Sequence, residues 1–155
     1  MRKLIIYFFL SAASVSALLN TSCTPGSCFV ETNAYVKASF YLSATLKADA
    51  PDSLTLYGLG RDTSFVYRKA LNPDQALIPL DASSDGCSFV IRINGVDDTI
   101  SFAYSSSVHM ISKECGYTFH HDIEKPIFTN NVIDEIEVVK SSITTLSEEN
   151  IRIFY

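Results

Sequence analysis

Stretch after stretch of this chain places apolar side chains at every second position, and that period decides what it can become. Val36, Ala38, Phe40 and Leu42 alternate with Tyr35, Lys37, Ser39, Tyr41 and Ser43. Successive side chains of a strand point to opposite faces, so such a run predicts a strand buried on one side. Cys87, Phe89, Ile91 and Ile93 share one face, with Ser88 and Arg92 on the other, and Ile100, Phe102 and Tyr104 form a returning strand. Asn94-Gly95 between them tolerates positive φ, a hairpin cue, and the turn is expected to continue through Val96, Asp97 and Asp98. Leu54–Gly58 and Ser64–Arg68 read as a second hairpin around a Gly-containing loop. A short strand at Ala76–Leu80 ends in the turn-rich run Asp81–Gly86. Val108–Ile111, Gly116–Ile123 and Asn150–Tyr155 are further extended segments.

One stretch is ambiguous. Ile133, Ile136 and Val139 have helical spacing, whereas β-branched content and the alternation of Glu135 and Glu137 with Ile136 and Val138 favour a strand. Residues 141–149 leave room for a helical turn. Eight or nine short strands at fairly regular spacing predict an all-β fold: an antiparallel β-sandwich, immunoglobulin-like or related, with a small β-barrel as the alternative.

The start of the chain obeys a different rule. Arg2 and Lys3 precede an almost wholly apolar run, Leu4–Leu19, and no acidic residue appears before Glu31. A positive start, an apolar stretch and small residues near a cut site describe a secretory signal. Sixteen residues fall short of the roughly 20 that a spanning helix needs. The run Leu18-Leu19-Asn20-Thr21-Ser22-Cys23 resembles a bacterial lipobox, with Asn20 standing where an aliphatic residue is usual. That resemblance implies that Cys23 is lipidated and becomes the first mature residue, anchoring the protein to a membrane. The expected organisation is a signal peptide at 1–22, a lipid anchor and Pro/Gly-containing linker at 23–33, and one domain at 34–155. Thr24–Ser27 carry no acidic cluster of the surface-export type, which points to the periplasmic face of the envelope, most simply at the outer membrane.

Loss of Arg2 and Lys3 with the signal would leave ten basic side chains against 17 acidic ones. An acidic domain is a poor binder of nucleic acid or anionic lipid by charge.

Chemistry-bearing residues are few and scattered. His120 and His121 are adjacent, so on a strand they face opposite ways and cannot easily share a metal; His109 is distant in sequence. Asp97-Asp98 lacks the spaced acidic ladder of a calcium loop. Glu135 and Glu137 would share a solvated strand face, not oppose each other across a cleft. No Gly-x-Ser-x-Gly, phosphate-cradling loop or Cys-x-x-Cys is present. No cofactor, metal or catalytic residue is expected. Tyr35, Tyr41, Tyr57 and Tyr67 are better explained as strand residues than as a sugar-binding row. If Cys23 carries lipid, Cys28, Cys87 and Cys115 remain, and one of the three is left over. Cys87 shares parity with Phe89 and Ile91, as a small buried hydrophobe would.

Several features in order resemble an uncharacterised family of small β-rich lipoproteins from Bacteroidetes-type bacteria. They are Cys28, Phe40-Tyr41, Pro79-Leu80, Asp98–Tyr104, Ile111–Tyr117 and the closing strand Ile151–Tyr155. The resemblance implies a cell-envelope protein and no particular activity. It favours a disulfide between Cys28 and Cys115 over a pair involving Cys87. The expected role is a non-enzymatic, lipid-anchored protein-binding or assembly module, with a glycan-binding module or fimbrial subunit as the alternative.

Overall fold

The computed structural model describes Cys28 and residues 30–155. The expected signal peptide and Cys23 lie outside the described residues. Within them there is no helix, and the chain forms two sheets.

The smaller sheet is built on β1 (Tyr35–Leu42). On one side β1 pairs antiparallel with β2 (Lys47–Ala48) and β5 (Gln75–Pro79). On the other it pairs with β12 (Ile151–Phe154), which in turn pairs with β10 (Glu135–Val138). The β1–β12 pairing is parallel, a departure from the wholly antiparallel expectation. The larger sheet runs β4 (Phe65–Leu71), β3 (Ser53–Gly58), β6 (Gly86–Ile93), β7 (Val96–Ser112), β8 (Gly116–Ile123) and β11 (Ser142–Ile143), and curls into a half-barrel. The two-residue β9 (Ile127–Phe128) continues the track of β8 beside β7.

The expected alternation becomes the core. Val36, Ala38, Phe40, Ala76, Ile78, Ile136, Ile151 and Ile153 of one sheet meet Leu54, Leu56, Ile91, Ile93, Ile100 and Phe102 of the other. The fold is thus an all-β sandwich, with twelve strands among the described residues because several two-residue pairings add to the main ones.

Three local readings change. The β6–β7 turn is confined to Asn94 (φ 50°) and Gly95 (φ 90°), both left-handed as a two-residue hairpin requires, so Val96, Asp97 and Asp98 already belong to β7. Ile100–Tyr104 and Val108–Ile111 are one continuous 17-residue strand, not two segments. Residues 141–149 form β11 and irregular chain in place of a helical turn.

Polar ties hold the irregular connections. Asp98 is buried; its Oδ1 accepts from the Thr129 hydroxyl and Asn131 N–H, and its Oδ2 from Val132 and Ile133 N–H. Buried Asn150 accepts the Lys37 N–H at 2.9 Å and donates to the Lys140 and Ser142 carbonyls. Lys37 was expected on the outer face of β1, yet it is buried because this C-terminal segment folds over it, its ammonium donating to the Leu146 carbonyl. The hydroxyl of Tyr67 in β4 accepts the Leu77 N–H across the two sheets.

Burial alone would raise the Asp98 carboxyl, but the hydrogen bonds outweigh it and hold the carboxyl below its usual value. A lowered folded value means stability that is present above about pH 4 and lost as pH falls through the lowered value. Asp98→Asn leaves two of the four donors poorly matched. It is expected to cost about 1.5–3 kcal/mol at neutral pH and to flatten the acid limb of stability, as measured by denaturant unfolding against pH.

Candidate functional site

Beyond Tyr104, β7 leaves its neighbour β6; β11 still flanks β8 at His121 and Asp122, and past Ser106 the two strands continue as a pair, so residues 107–120 form a two-stranded arm. Six residues of strand, 107–112, give it a reach of roughly 20 Å. The arm leaves the sandwich at the end where the chain enters, since β1 begins opposite Pro79 and the 81–86 loop touches the root of the arm. There the Tyr104 hydroxyl accepts the Asp81 N–H and donates to the Asp81 carbonyl, both at 2.9 Å. At the tip, Gly116 takes φ 74°, which its lack of a Cβ permits.

A disulfide joins Cys28 to Cys115 at this tip, with Cα atoms 5.0 Å apart. This is the pairing that the family resemblance favours. From the tip the N-terminal segment runs back along β8, where the Thr118 hydroxyl donates to the Thr32 carbonyl, and then enters β1. The arm is therefore fastened at both ends.

Its two faces differ. Cross-strand partners share a face, so Val108 with Phe119 and Met110 with Tyr117 continue the face that carries Tyr104 and Ile123 in the core. Among the described residues no opposite sheet covers them: Val108 is 64%, Met110 48%, Tyr117 71% and Phe119 44% exposed. The tip residues Lys113 and Glu114 carry opposite charges. A contiguous apolar face of this kind is a candidate interaction surface, whereas single exposed apolar side chains are ordinary.

The expected chemical candidates are dispersed. His120 and His121 do point to opposite faces of β8. The hairpin brings His109, distant in sequence, into a stack on His120 with ring centroids 4.1 Å apart. His121 is buried, its Nδ1 2.9 Å from the Ser106 hydroxyl and its ring edge-on to Tyr104. Burial, and after it the neighbouring imidazole, pushes both His120 and His121 below the usual histidine value. No three potential metal ligands gather among the described residues. Asp97 is tied to Arg92 and Asp98 to its loop, and Glu137 meets Arg152 on an exposed face. Tyr35 and Tyr41 lie in one sheet, Tyr57 and Tyr67 in the other, so the four do not form a single row. Cys87 is free and half-buried beside Tyr104, and burial pushes its thiol up. It lines an open cleft of about 480 Å³ with Leu59, Arg61, Val66, Asp81 and Phe89.

A family described only as of unknown function (DUF6452) matches residues 53–155. The chain belongs to this family. The DUF6452 match takes in the whole arm and Cys115, while β1 and Cys28 precede it. No curated protein matches the chain, and no solved structure does.

Three measurements check this geometry. Peptide mapping without reduction is expected to recover Cys28 linked to Cys115, with native Cys87 slow to alkylate and labelled on unfolding. Removing the bond with Cys28→Ser and Cys115→Ser should lower stability, by up to about 4–5 kcal/mol for so long a loop. In an NMR titration, His120 and His121 are expected to titrate below 6.5. The neutral rings then contribute stability above about pH 6.5 that is lost on acidification through the lowered values.

Proposed function

We propose that the protein is an exported cell-envelope lipoprotein of Bacteroidetes-type bacteria, anchored through Cys23, whose β-sandwich is a non-enzymatic protein-binding or assembly module. The observation that carries this reading is the Cys28–Cys115 bond. Structural disulfides persist in oxidising compartments and are rare in the cytosol, so the bond supports the secretory reading of residues 1–22. It also fastens the domain close to the proposed anchor.

A binding role accounts for the exposed apolar face of the arm and for the open cleft at its base. Ser106 and His121 form a hydroxyl–imidazole pair, but the ring is buried edge-on to Tyr104, and Asp98, tied to the loop at 129–133, is not part of it. A fimbrial subunit would want an open, flat sheet edge for strand exchange. The outer strand β4 instead carries Arg68 and Lys69, the latter at φ 50°, with its pairing to β3 shifted in register. Charge and irregularity of this kind keep an edge from pairing.

The test is intact-mass analysis of the chain recovered from bacterial membranes, expected to show acyl groups on an N-terminal Cys23. Cys23→Ser should move the protein to the soluble fraction. A chain that starts elsewhere, carries no lipid and partitions to the soluble fraction unaltered would sink the anchor. Crosslinked capture with the lipidated protein should then retrieve a defined envelope partner, reproducibly and in fixed ratio.

A further inference from the structure

We infer that the arm's apolar face is a lipid-docking surface: Val108, Met110, Tyr117 and Phe119 rest in the interface of the bilayer that holds the anchor. The inference builds on the lipoprotein reading and adds to it a second, non-covalent membrane contact with a defined orientation.

The distance from the anchor decides the occupant. Cys23 precedes Cys28 by five residues. Five extended residues span at most about 18 Å, and Cys28 is bonded to the tip of the arm. The arm's tip therefore cannot leave the immediate neighbourhood of the lipid surface, whatever path residues 24–27 take. Met110 and Tyr117, the pair nearest the tip, are directly opposed across the two strands, and Val108 and Phe119 follow on the same face.

The residue types suit that layer. Tyr places an apolar ring and a polar hydroxyl at the headgroup level, and Met, Val and Phe fill the acyl boundary below it. Charge is not the attraction. The domain is acidic, and Lys113 and Glu114 offset each other at the tip. The contact should therefore form on uncharged phosphatidylcholine and vary little with salt. Four side chains alone would give a weak, reversible association. Tethering makes the contact intramolecular, with an effective concentration that a short linker puts in the millimolar range. The disulfide keeps arm and anchor side by side, so the two membrane contacts reinforce each other.

The chain contains no Trp, so Tyr117→Trp supplies a single reporter, and Val96→Trp, at the β6–β7 turn on the opposite end of the sandwich, supplies its control. Each protein, purified from membranes, is reconstituted into vesicles of phosphatidylcholine with brominated acyl chains. Flotation with the vesicles reads the anchor, and Trp quenching reads the arm. The expected result is blue-shifted, bromine-quenched emission from residue 117, unchanged emission from residue 96, and loss of the quenching when Met110→Asp is added. Flotation with an unquenched, water-exposed residue 117 would overturn the inference and leave the anchor intact. Shielding of residue 117 that appears only when an envelope protein is added would likewise overturn it and assign the face to that protein. Should the native chain not float, the anchor reading fails. The arm is then read on a chain starting at residue 23, held to the same vesicles by an N-terminal hexahistidine and nickel-chelating lipid, with the same two outcomes for residue 117.

Discussion

A strand cannot exchange its two faces without a bulge, and the strand Val96–Ser112 carries that constraint from the core into the arm. Ile100, Phe102 and Tyr104 are buried against the opposite sheet. The same parity places Ser106, Val108 and Met110 on the same side, and beyond Ser106 no opposite sheet among the described residues covers it. The apolar face of the arm is thus the core face prolonged into solvent. The shift in pairing between Met110 and Ser112 comes only at the tip, where the chain turns back towards Cys115.

That continuity explains which parts of the fold could be read from the sequence. Alternation predicted the main strands and the sandwich, since each buried face needs only local parity. Ile100–Tyr104 and Val108–Ile111 read as two segments because the apolar alternation lapses at Ser106. In the structure Ser106 meets His121 across the pair, so a polar residue on the apolar face is satisfied inside a ladder. Lys37 likewise kept the right parity and the wrong environment. Parity says which face a residue occupies and nothing about a segment more than a hundred positions later, here the one ending at Asn150, that folds over that face.

The polar ties show the same limit in a different form. Asp98 was a plain turn acid by sequence, but four donors arriving from residues 129–133 make it the clamp of a loop. Tyr67 and Tyr104 look like ordinary strand aromatics, yet their hydroxyls bind backbone at Leu77 and Asp81. Each tie joins residues whose proximity depends on the finished topology, so no local pattern announces it. The cysteine pairing was legible only through resemblance, because counting thiols leaves several partners open. The stack of His109 on His120 was accessible in principle, since a hairpin closing near Lys113-Glu114 brings those two positions together.

Placing the disulfide on the arm gives the domain a direction. The chain enters at the arm's end of the sandwich, and the parallel pairing of β12 with β1 carries the C-terminus to the other end, where Tyr155 N–H meets the Tyr41 carbonyl. The Asn94-Gly95 turn and the Asp98 clamp lie at that far end as well, because β6 starts beside the root of the arm and runs away from it. With the arm and its tether on the proposed membrane, the far end and the C-terminal strand would face away from the lipid. A partner in the aqueous space would meet these surfaces first, while the cleft beside Cys87, at the arm's root, opens closer to the membrane. On the proposed anchoring, one covalent bond between residues 87 positions apart would thereby separate a membrane-facing end of the sandwich from one open to a partner.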